Sequence, residues 1–462
     1  MATIDTARLQ ELAIQHLWLH FTQMAGFDPD KHPVMARGDD IYLYDTDGNR
    51  YMDFLSGLFT VQIGYSHGEE IGQAMLEQAM ELPYYTNWTY SHPRAIELAA
   101  KLAEITPASI DRAFFVSGGS EGVEGALKLA RNYHTANGEP MRRKVIARKI
   151  AYHGTTYGAL SITGITGIRS MFEPLMSGVR HVSPTNPYRC QHCADAGGCN
   201  LKCADEVAEV IEFEDPSTVS MVIMEPVQNA GGCFTPHPEY HQRVNEICRE
   251  YGVLHVADET ICGYGRVGEW YGAIRYEYEP DIITCAKGLT SGYQPMGAVL
   301  FGPRIADALI STESMYMHGI TFGGHPIVAA AALKNLEIME REDVIGNVRR
   351  NEDYLRDQLL GLKERHAIVG DVRGAGYFWA MELVRDKATR ETFNEQECNV
   401  LLRDFLSPTL LKEGLLCRAD DRGDPAIQIS PPLITTREQI DEAIAIFDRV
   451  LPEAERRMAA MR

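Results

Sequence analysis

Three short stretches place groups that could do chemistry directly after apolar, strand-like runs. The first reads VSGGSEG (116–122), the second HVADETICG (255–263) and the third ITCAKGLTSG (282–291). Paired glycines at the start of a helix can bind an anion through free backbone N–H groups. A carboxylate at a strand end, here Asp258, can face a cation. A partly buried lysine, here Lys287, can have a lowered pKa and act as a nucleophilic amine.

Each stretch also has an ordinary structural explanation. Ser120 could cap its helix with Glu124 in the first turn, Asp258 could bond to nearby backbone, and Lys287 could be a solvated side chain. One cofactor needs all three groups together. Pyridoxal phosphate (PLP) has a phosphate, a ring nitrogen that works best protonated beside a carboxylate, and an aldehyde that forms an imine with lysine. The sequence therefore predicts the phosphate at Ser120, the ring nitrogen at Asp258 and the aldehyde carbon at Lys287.

Alternating strand-like and helical segments predict how these groups come together. Strand-like runs at 112–118, 143–152, 219–227, 252–259 and 281–288 alternate with helical patterns. Near-continuous apolar strands between helices predict an α/β fold, with a mostly parallel sheet covered on both faces. Ligands in such folds collect at the carboxyl ends of the strands, which is where the three groups lie.

The chain is predicted to form two domains, because 462 residues exceed what one ordinary core needs. Residues 66–328 form the large PLP-binding α/β domain. Residues 1–65 and 329–462 together form a smaller, discontinuous α+β domain. The first of these segments has the turn DTDGN between alternating runs, and the second has long helices around short strands such as GYFWAMELV.

Composition bounds the partners and the location. An apolar fraction of 45% and a charged fraction of 23% are typical of a soluble globular protein. A net charge of −20 argues against a nucleic acid or an anionic membrane as partner. The N-terminal stretch lacks a secretory signal pattern, and no apolar run approaches the roughly 20 residues that cross a bilayer. We expect a cytoplasmic protein with reduced thiols and no membrane partner.

Longer stretches resemble the class III (omega) aminotransferases of PLP fold type I. The resemblance runs through DDIYLYDTDGNRYMDFLSGL, VSGGSEGVEGALKLAR, YHG, EPVQNAGG, VADETICGYGRVGEW, AKGLTSGYQPMGAV, HGITFGGHPIVAAAAL and ISPPL. It covers nearly the whole chain. It implies a large domain with a seven-stranded, mostly parallel sheet and a smaller domain built from both termini.

The resemblance also implies a role for each matching residue. Lys287 matches the lysine that forms the imine and moves the substrate proton, and Asp258 matches the carboxylate that keeps the ring nitrogen protonated. The other matches are Gly119 and Ser120 at the phosphate, Tyr152 stacked on the ring, Glu225 as a further active-site carboxylate, and Thr321 reaching the phosphate from the neighbouring subunit. A homodimer with shared active sites is therefore expected, with a tetramer as the larger alternative.

Departures within the motifs indicate a branch of the family. The stretch DETICG has Thr260 and Ile261 where the 4-aminobutyrate and ornithine branch typically has DEVQTG. This resembles the pyruvate-using amine and β-alanine branch. Phe59 and Trp88 stand where that branch lines its substrate pocket, and Arg418 where it has a mobile arginine for the substrate carboxylate. Core packing and a surface charge are the structural alternatives.

The predicted reaction is a ping-pong transamination. An amine or ω-amino acid donates its amino group, and a keto acid, expected to be pyruvate, accepts it. The alternatives are a 2-oxoglutarate-using ω-aminotransferase of the 4-aminobutyrate or diamine type, and another fold-type-I reaction such as an aminomutase. From a different class, a PLP-binding regulatory module is the alternative, and the intact Lys287 and Asp258 argue against it.

A cysteine-rich stretch, YRCQHCADAGGCNLKCAD (188–205), matches no part of the family core. Its cysteines are Cys190, Cys193, Cys199 and Cys203. The spacing C-x2-C-x5-C-x3-C could hold a structural zinc. The alternative is a surface insertion without metal, with or without a disulfide. Transamination with PLP needs no metal, so no catalytic metal is expected.

Overall fold

The computed structural model describes residues 4–26, 28, 32–190, 192–193 and 198–461 of the chain. The strands are β1 (Met35–Asp39), β2 (Tyr42–Asp45), β3 (Arg50–Asp53), β4 (Arg112–Val116), β5 (Lys144–Arg148), β6 (Val179–Val182), β7 (Val219–Met224), β8 (Leu254–Asp258), β9 (Ile282–Cys285), β10 (Gly297–Phe301), β11 (Val369–Ala375), β12 (Phe378–Leu383), β13 (Leu415–Leu416), β14 (Arg418–Asp420) and β15 (Ala426–Ile429).

Helices separate most of these strands. The α-helices are α1 (Thr6–His16), α2 (Ser56–Phe59), α3 (Gly68–Glu81), α4 (Pro93–Ile105), α5 (Gly119–Ala136), α6 (Tyr157–Ile162), α7 (Thr166–Arg169), α8 (Lys202–Phe213), α9 (Tyr240–Glu250), α10 (Gly272–Arg275), α11 (Pro303–Ser311), α12 (Pro326–Arg341), α13 (Val344–Arg365), α14 (Glu395–Cys398), α15 (Ser407–Lys412) and α16 (Arg437–Ala460). Short 3₁₀ turns cover Met24–Gly26, Ser170–Phe172, Pro187–Arg189, Pro216–Thr218 and Lys287–Leu289, and a π-helical stretch covers Asn399–Leu406.

A seven-stranded sheet is the centre of the described structure, with the strand order β4-β10-β9-β8-β7-β5-β6. Its pairs from β9 through β6 are parallel. Strand β10 is antiparallel to both of its neighbours, β9 and β4. The predicted α/β class, with a mostly parallel sheet, is confirmed.

Helices cover both faces of this sheet because its inner strands are apolar on both faces. Strand β7 shows the alternation: Met221 and Ile223 pack with side chains of α5, whereas Val222 and Met224 pack with those of α8 and α9. Every residue of β7, β8 and β9 is buried. Two of the groups selected from the sequence lie where these strands end, Asp258 at the end of β8 and Lys287 just after Cys285.

Two four-stranded sheets lie outside the large one, with the orders β1-β2-β3-β13 and β11-β12-β15-β14. The first sheet joins the two ends of the chain, because β13 runs parallel to β3 with Leu415 opposite Met52. The DTDGN turn connects β2 and β3 as an antiparallel hairpin, as predicted. The domain limits at residues 65 and 328 stay predictions.

One predicted strand is shorter than expected. The run 143–152 is strand only over Lys144–Arg148. The chain then turns at Ile150, whose φ is +68°. This turn directs the following residues, including Tyr152, toward the carboxyl end of the sheet. Separately, no helix in the described ranges combines the length and apolar character needed to cross a bilayer.

Candidate active site

A cavity of about 210 Å³ opens at the carboxyl ends of β8 and β9. It is lined by Leu58, Gly119, Ser120, Tyr152, His153, Gly154, Glu225, Asp258, Thr260, Ile261, Cys262, Ala286 and Lys287. The fold therefore brings together six of the residues selected from the sequence, contributed by loops that are far apart along the chain.

Lys287 follows β9 and begins the 3₁₀ turn Lys287–Leu289, with a φ of +41°. Burial lowers the pKa of its amine to about 8, and the charge of Arg418 acts in the same direction. The carboxylates of Asp258 and Glu225 oppose this shift. A lysine with this pKa has a much larger neutral, nucleophilic fraction near neutral pH than an ordinary lysine.

Asp258 ends β8 and is 3% exposed. Its Oδ1 accepts hydrogen bonds from Thr260 Oγ1 at 2.6 Å, from Thr260 N at 3.2 Å and from Thr284 Oγ1 at 3.1 Å. Burial alone would raise the pKa of this carboxyl group, but the bonds and the charge of its partners outweigh burial and lower the pKa. The side chain is therefore an anion held at the cavity wall.

His153 was not selected from the sequence, although it lies in the quoted stretch YHG. Its Nδ1 donates to Asp258 Oδ2 at 2.8 Å. The ring is almost fully buried, and its Nε2 makes no hydrogen bond within the described structure. The signal available in the sequence was its position directly after Tyr152, whereas its burial, which requires a hydrogen-bond partner, is visible only in the structure.

The N-terminus of α5 points its free N–H groups at the same cavity. Gly118 is the N-cap residue and no side chain caps the helix, so the serine-cap explanation does not apply. Ser120 instead accepts a hydrogen bond from Thr155 N at 3.2 Å. A Cβ at Gly119 would lie 2.9 Å from Thr260 Cγ2, so only glycine fits this close approach. An uncapped end of an 18-residue helix is suited to a phosphate.

Glu225 and Tyr152 are joined through the backbone. Tyr152 N donates to Glu225 Oε1 at 3.2 Å, and Asn229 N donates to Oε2 at 2.9 Å. Burial raises the pKa of the Glu225 carboxyl group. Burial also raises the pKa of the Tyr152 phenol, against the opposing charges of Arg422 and Arg418. Two arginines therefore lie near this side of the cavity.

Two of the predicted substrate-binding residues, Phe59 and Arg418, lie near Lys287 in different surroundings. Phe59 is 1% exposed and packs edge-on against Phe378, with 5.7 Å between ring centroids. Its ring centroid is 5.9 Å from Lys287 Nζ, whereas the neighbouring Leu58 lines the cavity. Arg418 is the first residue of the edge strand β14. Its positive charge acts to lower the pKa of Lys287 and that of Tyr152.

Trp88 and Thr321 lie outside this cavity and close to each other. Trp88 is 68% exposed and its ring lies against Gly319, where an added Cβ would be 2.9 Å from Trp88 Cζ2. Thr321 is also exposed, and its carbonyl accepts a hydrogen bond from Tyr84 at 2.8 Å. Phe322, next to it, is 62% exposed. Together with Tyr84, whose ring lies 6.0 Å from that of Phe322, these residues form one exposed patch that is rich in aromatic side chains.

The groups around the cavity fit PLP by their chemistry. An ionised carboxylate at Asp258 suits a protonated ring nitrogen, and the amine of Lys287 suits an aldehyde. The open N-terminus of α5 suits the phosphate. The family model for class III aminotransferases matches residues 27–451.

The chain belongs to the class III aminotransferases. It is thus a PLP-dependent transferase whose substrates are a small amine donor and a keto-acid acceptor. A Mycobacterium tuberculosis protein named "Probable aminotransferase" is 47% identical, over 98% of this chain and 96% of its own length. The putrescine–pyruvate aminotransferase of Pseudomonas aeruginosa is 34% identical, over 97% of this chain and 96% of its own length.

Two further matches to this aminotransferase are a named transaminase and a solved structure. The diaminobutyrate–2-oxoglutarate transaminase of Halomonas elongata is 34% identical, over 90% of each chain. A solved amine transaminase from an uncultivated Pseudomonas species, in a PLP-bound form, gives a TM-score of 0.89 at 35% identity. That match covers 95% of this chain and 99% of the solved one.

The cysteine-rich stretch of the aminotransferase lies away from the active site. Its four cysteines line another cavity, of about 490 Å³, together with His237 and Tyr240. All four are free thiols, so no disulfide joins them. Within the described ranges, no group of three or more His, Cys, Asp or Glu side chains is arranged to hold a metal. Residues 191 and 194–197 lie outside those ranges.

Proposed function

We propose that this aminotransferase moves the amino group of an amine or ω-amino acid to pyruvate, in two half-reactions at one site. One observation carries the proposal. Arg418, whose side chain is 29% exposed, stands close enough to Lys287 and Tyr152 to act electrostatically on both. A carboxylate substrate can pair with such a cation, and an amine donor can be accommodated when the arginine turns toward solvent.

The chain's own residues have separate tasks in this proposal. When bound, PLP supplies a carbon that takes up the amino group and a ring that accepts electrons released at the substrate carbon. Lys287 binds that carbon at rest and then moves a proton to and from the substrate carbon. Asp258 keeps the ring nitrogen protonated, and His153, Thr260 and Thr284 hold Asp258 as an anion.

Other residues in and around the cavity position the phosphate and the ring of the bound cofactor. Gly119 and Ser120 bind the phosphate at the N-terminus of α5. Tyr152 stacks on the ring, and Glu225 fixes the loop that presents it through the Tyr152 amide. The side chains of Phe59 and Leu58 form the wall on the substrate side of the site.

The acceptor assignment rests on Ile261 and on the relatives. Ile261 is an apolar residue of the cavity wall and offers no hydrogen bond at the position where the 4-aminobutyrate and ornithine branch has glutamine. The Pseudomonas aeruginosa relative is named as pyruvate-using, and the Halomonas elongata relative as 2-oxoglutarate-using. The second acceptor is therefore the alternative that the experiment must distinguish.

The assembly proposed is a homodimer with shared active sites, with a tetramer as the larger alternative. The exposed patch with Trp88, Thr321 and Phe322 supports it, because exposed aromatic clusters of this kind mark protein interfaces. In the dimer, the partner's patch completes the phosphate and substrate sides of the cavity.

We also propose that the enzyme works in the cytoplasm. All ten cysteines of the chain are free thiols, although four of them line one cavity. Thiols in such proximity persist most readily in a reducing compartment.

A panel of amines assayed with pyruvate and with 2-oxoglutarate tests the proposal. A donor amine alone should convert the bound cofactor once per site, and pyruvate should then restore it. We expect kcat/KM for pyruvate to exceed that for 2-oxoglutarate by about tenfold, the contribution of roughly one favourable charged contact. A preference for 2-oxoglutarate would contradict the acceptor assignment. Isomerisation of the donor without any acceptor would indicate an aminomutase.

A further inference from the structure

Two arginines near the active site share one carboxylate, that of Asp420. Arg418 and Asp420 are two residues apart on the edge strand β14, so both side chains lie on the same face of the sheet. Arg422 follows in the next turn. Its Nη2 donates to Asp420 Oδ2 at 2.6 Å, and its Nε lies 2.9 Å and 2.8 Å from the two carboxylate oxygens.

Arg418 is held much more loosely by the same carboxylate. Its Nε lies 4.0 Å from Asp420 Oδ2, beyond hydrogen-bond distance. Arg422 also donates its backbone N–H to Asp420 Oδ1 at 3.2 Å, so the carboxylate is occupied mainly by Arg422. The guanidinium donors of Arg418 are therefore available to a substrate.

The cluster is buried enough for its net charge to matter. The side chain of Asp420 is 7% exposed, that of Arg422 19% and that of Arg418 29%. Burial alone would raise the pKa of the Asp420 carboxyl group, but the bonds and charge of Arg422 outweigh burial and lower that pKa. Asp420 is thus ionised at neutral pH. Two cations and one anion give the cluster a net charge of +1, and both arginines are near enough to act electrostatically on Tyr152 in the cavity wall.

We infer that Asp420 determines which keto acids this enzyme accepts, by limiting the acceptor subsite to one net positive charge. The inference rests on the proposed function. A monocarboxylate such as pyruvate neutralises the cluster when it binds Arg418. A dicarboxylate such as 2-oxoglutarate brings a second negative charge. Arg422 cannot pair with this charge because it already pairs with Asp420, and the Asp420 carboxylate repels it.

The neighbouring Asp421 offers a matched control. It has the same charge and chemistry, but it pairs with Arg403 at 2.7 Å and 2.9 Å, on the π-helical stretch. It is not among the largest charge contributions to the pKa of Tyr152, Lys287 or Arg418. Asp421→Asn therefore removes one negative charge a single residue away from the cluster.

The test compares kcat/KM for pyruvate and for 2-oxoglutarate in the holoenzyme, with one amine donor throughout. Asp420→Asn should raise the ratio of 2-oxoglutarate to pyruvate by about tenfold, because it frees Arg422 for a second carboxylate. Asp421→Asn should leave the ratio within about twofold of the wild type, because charges paired elsewhere at the surface contribute little. The double variant Asp420→Asn/Arg422→Gln restores a net charge of +1 and should return the ratio toward the wild-type value.

Arg422→Gln alone keeps the inference testable if Asp420→Asn does not fold. It leaves Asp420 free to pair with Arg418, so the KM for pyruvate should rise by about tenfold, with a smaller change in the amine half-reaction. An unchanged ratio in folded Asp420→Asn, or an equal shift in Asp421→Asn, would overturn the inference. So would an unchanged pyruvate KM in Arg422→Gln. Failure of the proposed function would appear differently, as a wild-type enzyme that transfers no amino group to pyruvate.

Discussion

The Nδ1 atom of His153 lies 2.8 Å from the Oδ2 atom of Asp258, and both side chains are almost fully buried. This bond is one of the main reasons why the pKa of Asp258 stays low despite burial. His153 therefore acts as a positioning residue for this carboxylate, which we propose keeps the cofactor ring protonated.

His153→Leu should move the acid limb of the kcat profile to higher pH. Without the hydrogen bond, burial raises the pKa of Asp258, and its ionised form is lost at a higher pH as the solution is acidified. A hydrogen bond to a charged group is worth about 1.5–3 kcal/mol, which corresponds to a shift of about one to two pH units. His153→Asn places an amide N–H near the position of Nδ1 and should recover much of the wild-type profile. Equal, pH-independent losses in both variants would show that His153 is only a packing residue.

Arg418→Ala should affect the two half-reactions unequally. Loss of a charge-assisted pair of about 1.5–3 kcal/mol corresponds to a tenfold to hundredfold rise in the KM for pyruvate. The half-reaction with an uncharged amine, followed by the visible absorbance of the cofactor, should change much less. Arg403→Ala is the control, because Arg403 pairs with Asp421 at the exposed surface. Similar losses in both half-reactions would mean that Arg418 is structural.

The motifs of the active site could be predicted because each places polar or glycine residues directly after an apolar, strand-like run. Asp258 and Lys287 end neighbouring parallel strands, so a correct sheet prediction already places them side by side. His153 could not be ranked in the same way, because its partner Asp258 is 105 residues away and the contact depends on the turn at Ile150.

Other features required the three-dimensional structure for a different reason. Trp88, predicted to line the substrate pocket, and Thr321, predicted to reach the phosphate of a neighbouring subunit, are both exposed in the single chain, so their roles stay predictions. The charge cluster at Asp420 depends on which of two arginines pairs with the carboxylate. The stretch CRADDR contains both positive and negative residues, and its sequence does not specify which of them form a pair.

The stability of the protein should fall with acidification from pH 7 to pH 5, partly because of His255. Its buried ring stacks on Tyr278, with 5.2 Å between centroids. Burial lowers its pKa to about 3, compared with an ordinary value of 6.5. The unfolded chain therefore binds a proton below pH 6.5 that the folded protein does not, and stability is lost progressively down to about pH 3. One pKa unit is 1.36 kcal/mol, so His255 accounts for a loss of about 2 kcal/mol at pH 5.

Unfolding midpoints in urea at pH 7 and pH 5, at matched ionic strength, measure this loss. His255→Asn removes the titrating ring and keeps a donor for Asn245, and it should reduce the pH dependence. His16→Gln, at an exposed position on α1, should leave the dependence as it is. A pH dependence that is the same in His255→Asn and the wild type would contradict the assignment.

The cysteine-rich stretch gives opposite expectations under its two explanations. A structural zinc predicts about one zinc per chain and thiols protected from alkylation. A metal-free insertion predicts less than about a tenth of that amount and thiols that all react. Elemental analysis of protein purified without added metal, combined with thiol titration, distinguishes the two.

Lys287 is, in the proposed function, the residue that binds the cofactor covalently. Reduction of the holoenzyme with borohydride, followed by proteolysis and peptide mapping, should place the cofactor on the peptide that contains ITCAKGLTSG. Lys287→Ala should carry no such adduct and should lose several orders of magnitude in turnover, since the nucleophile and the proton carrier are both removed. An adduct on any other lysine, with Lys287 unmodified, would contradict the assignment of Lys287 as the cofactor-binding lysine.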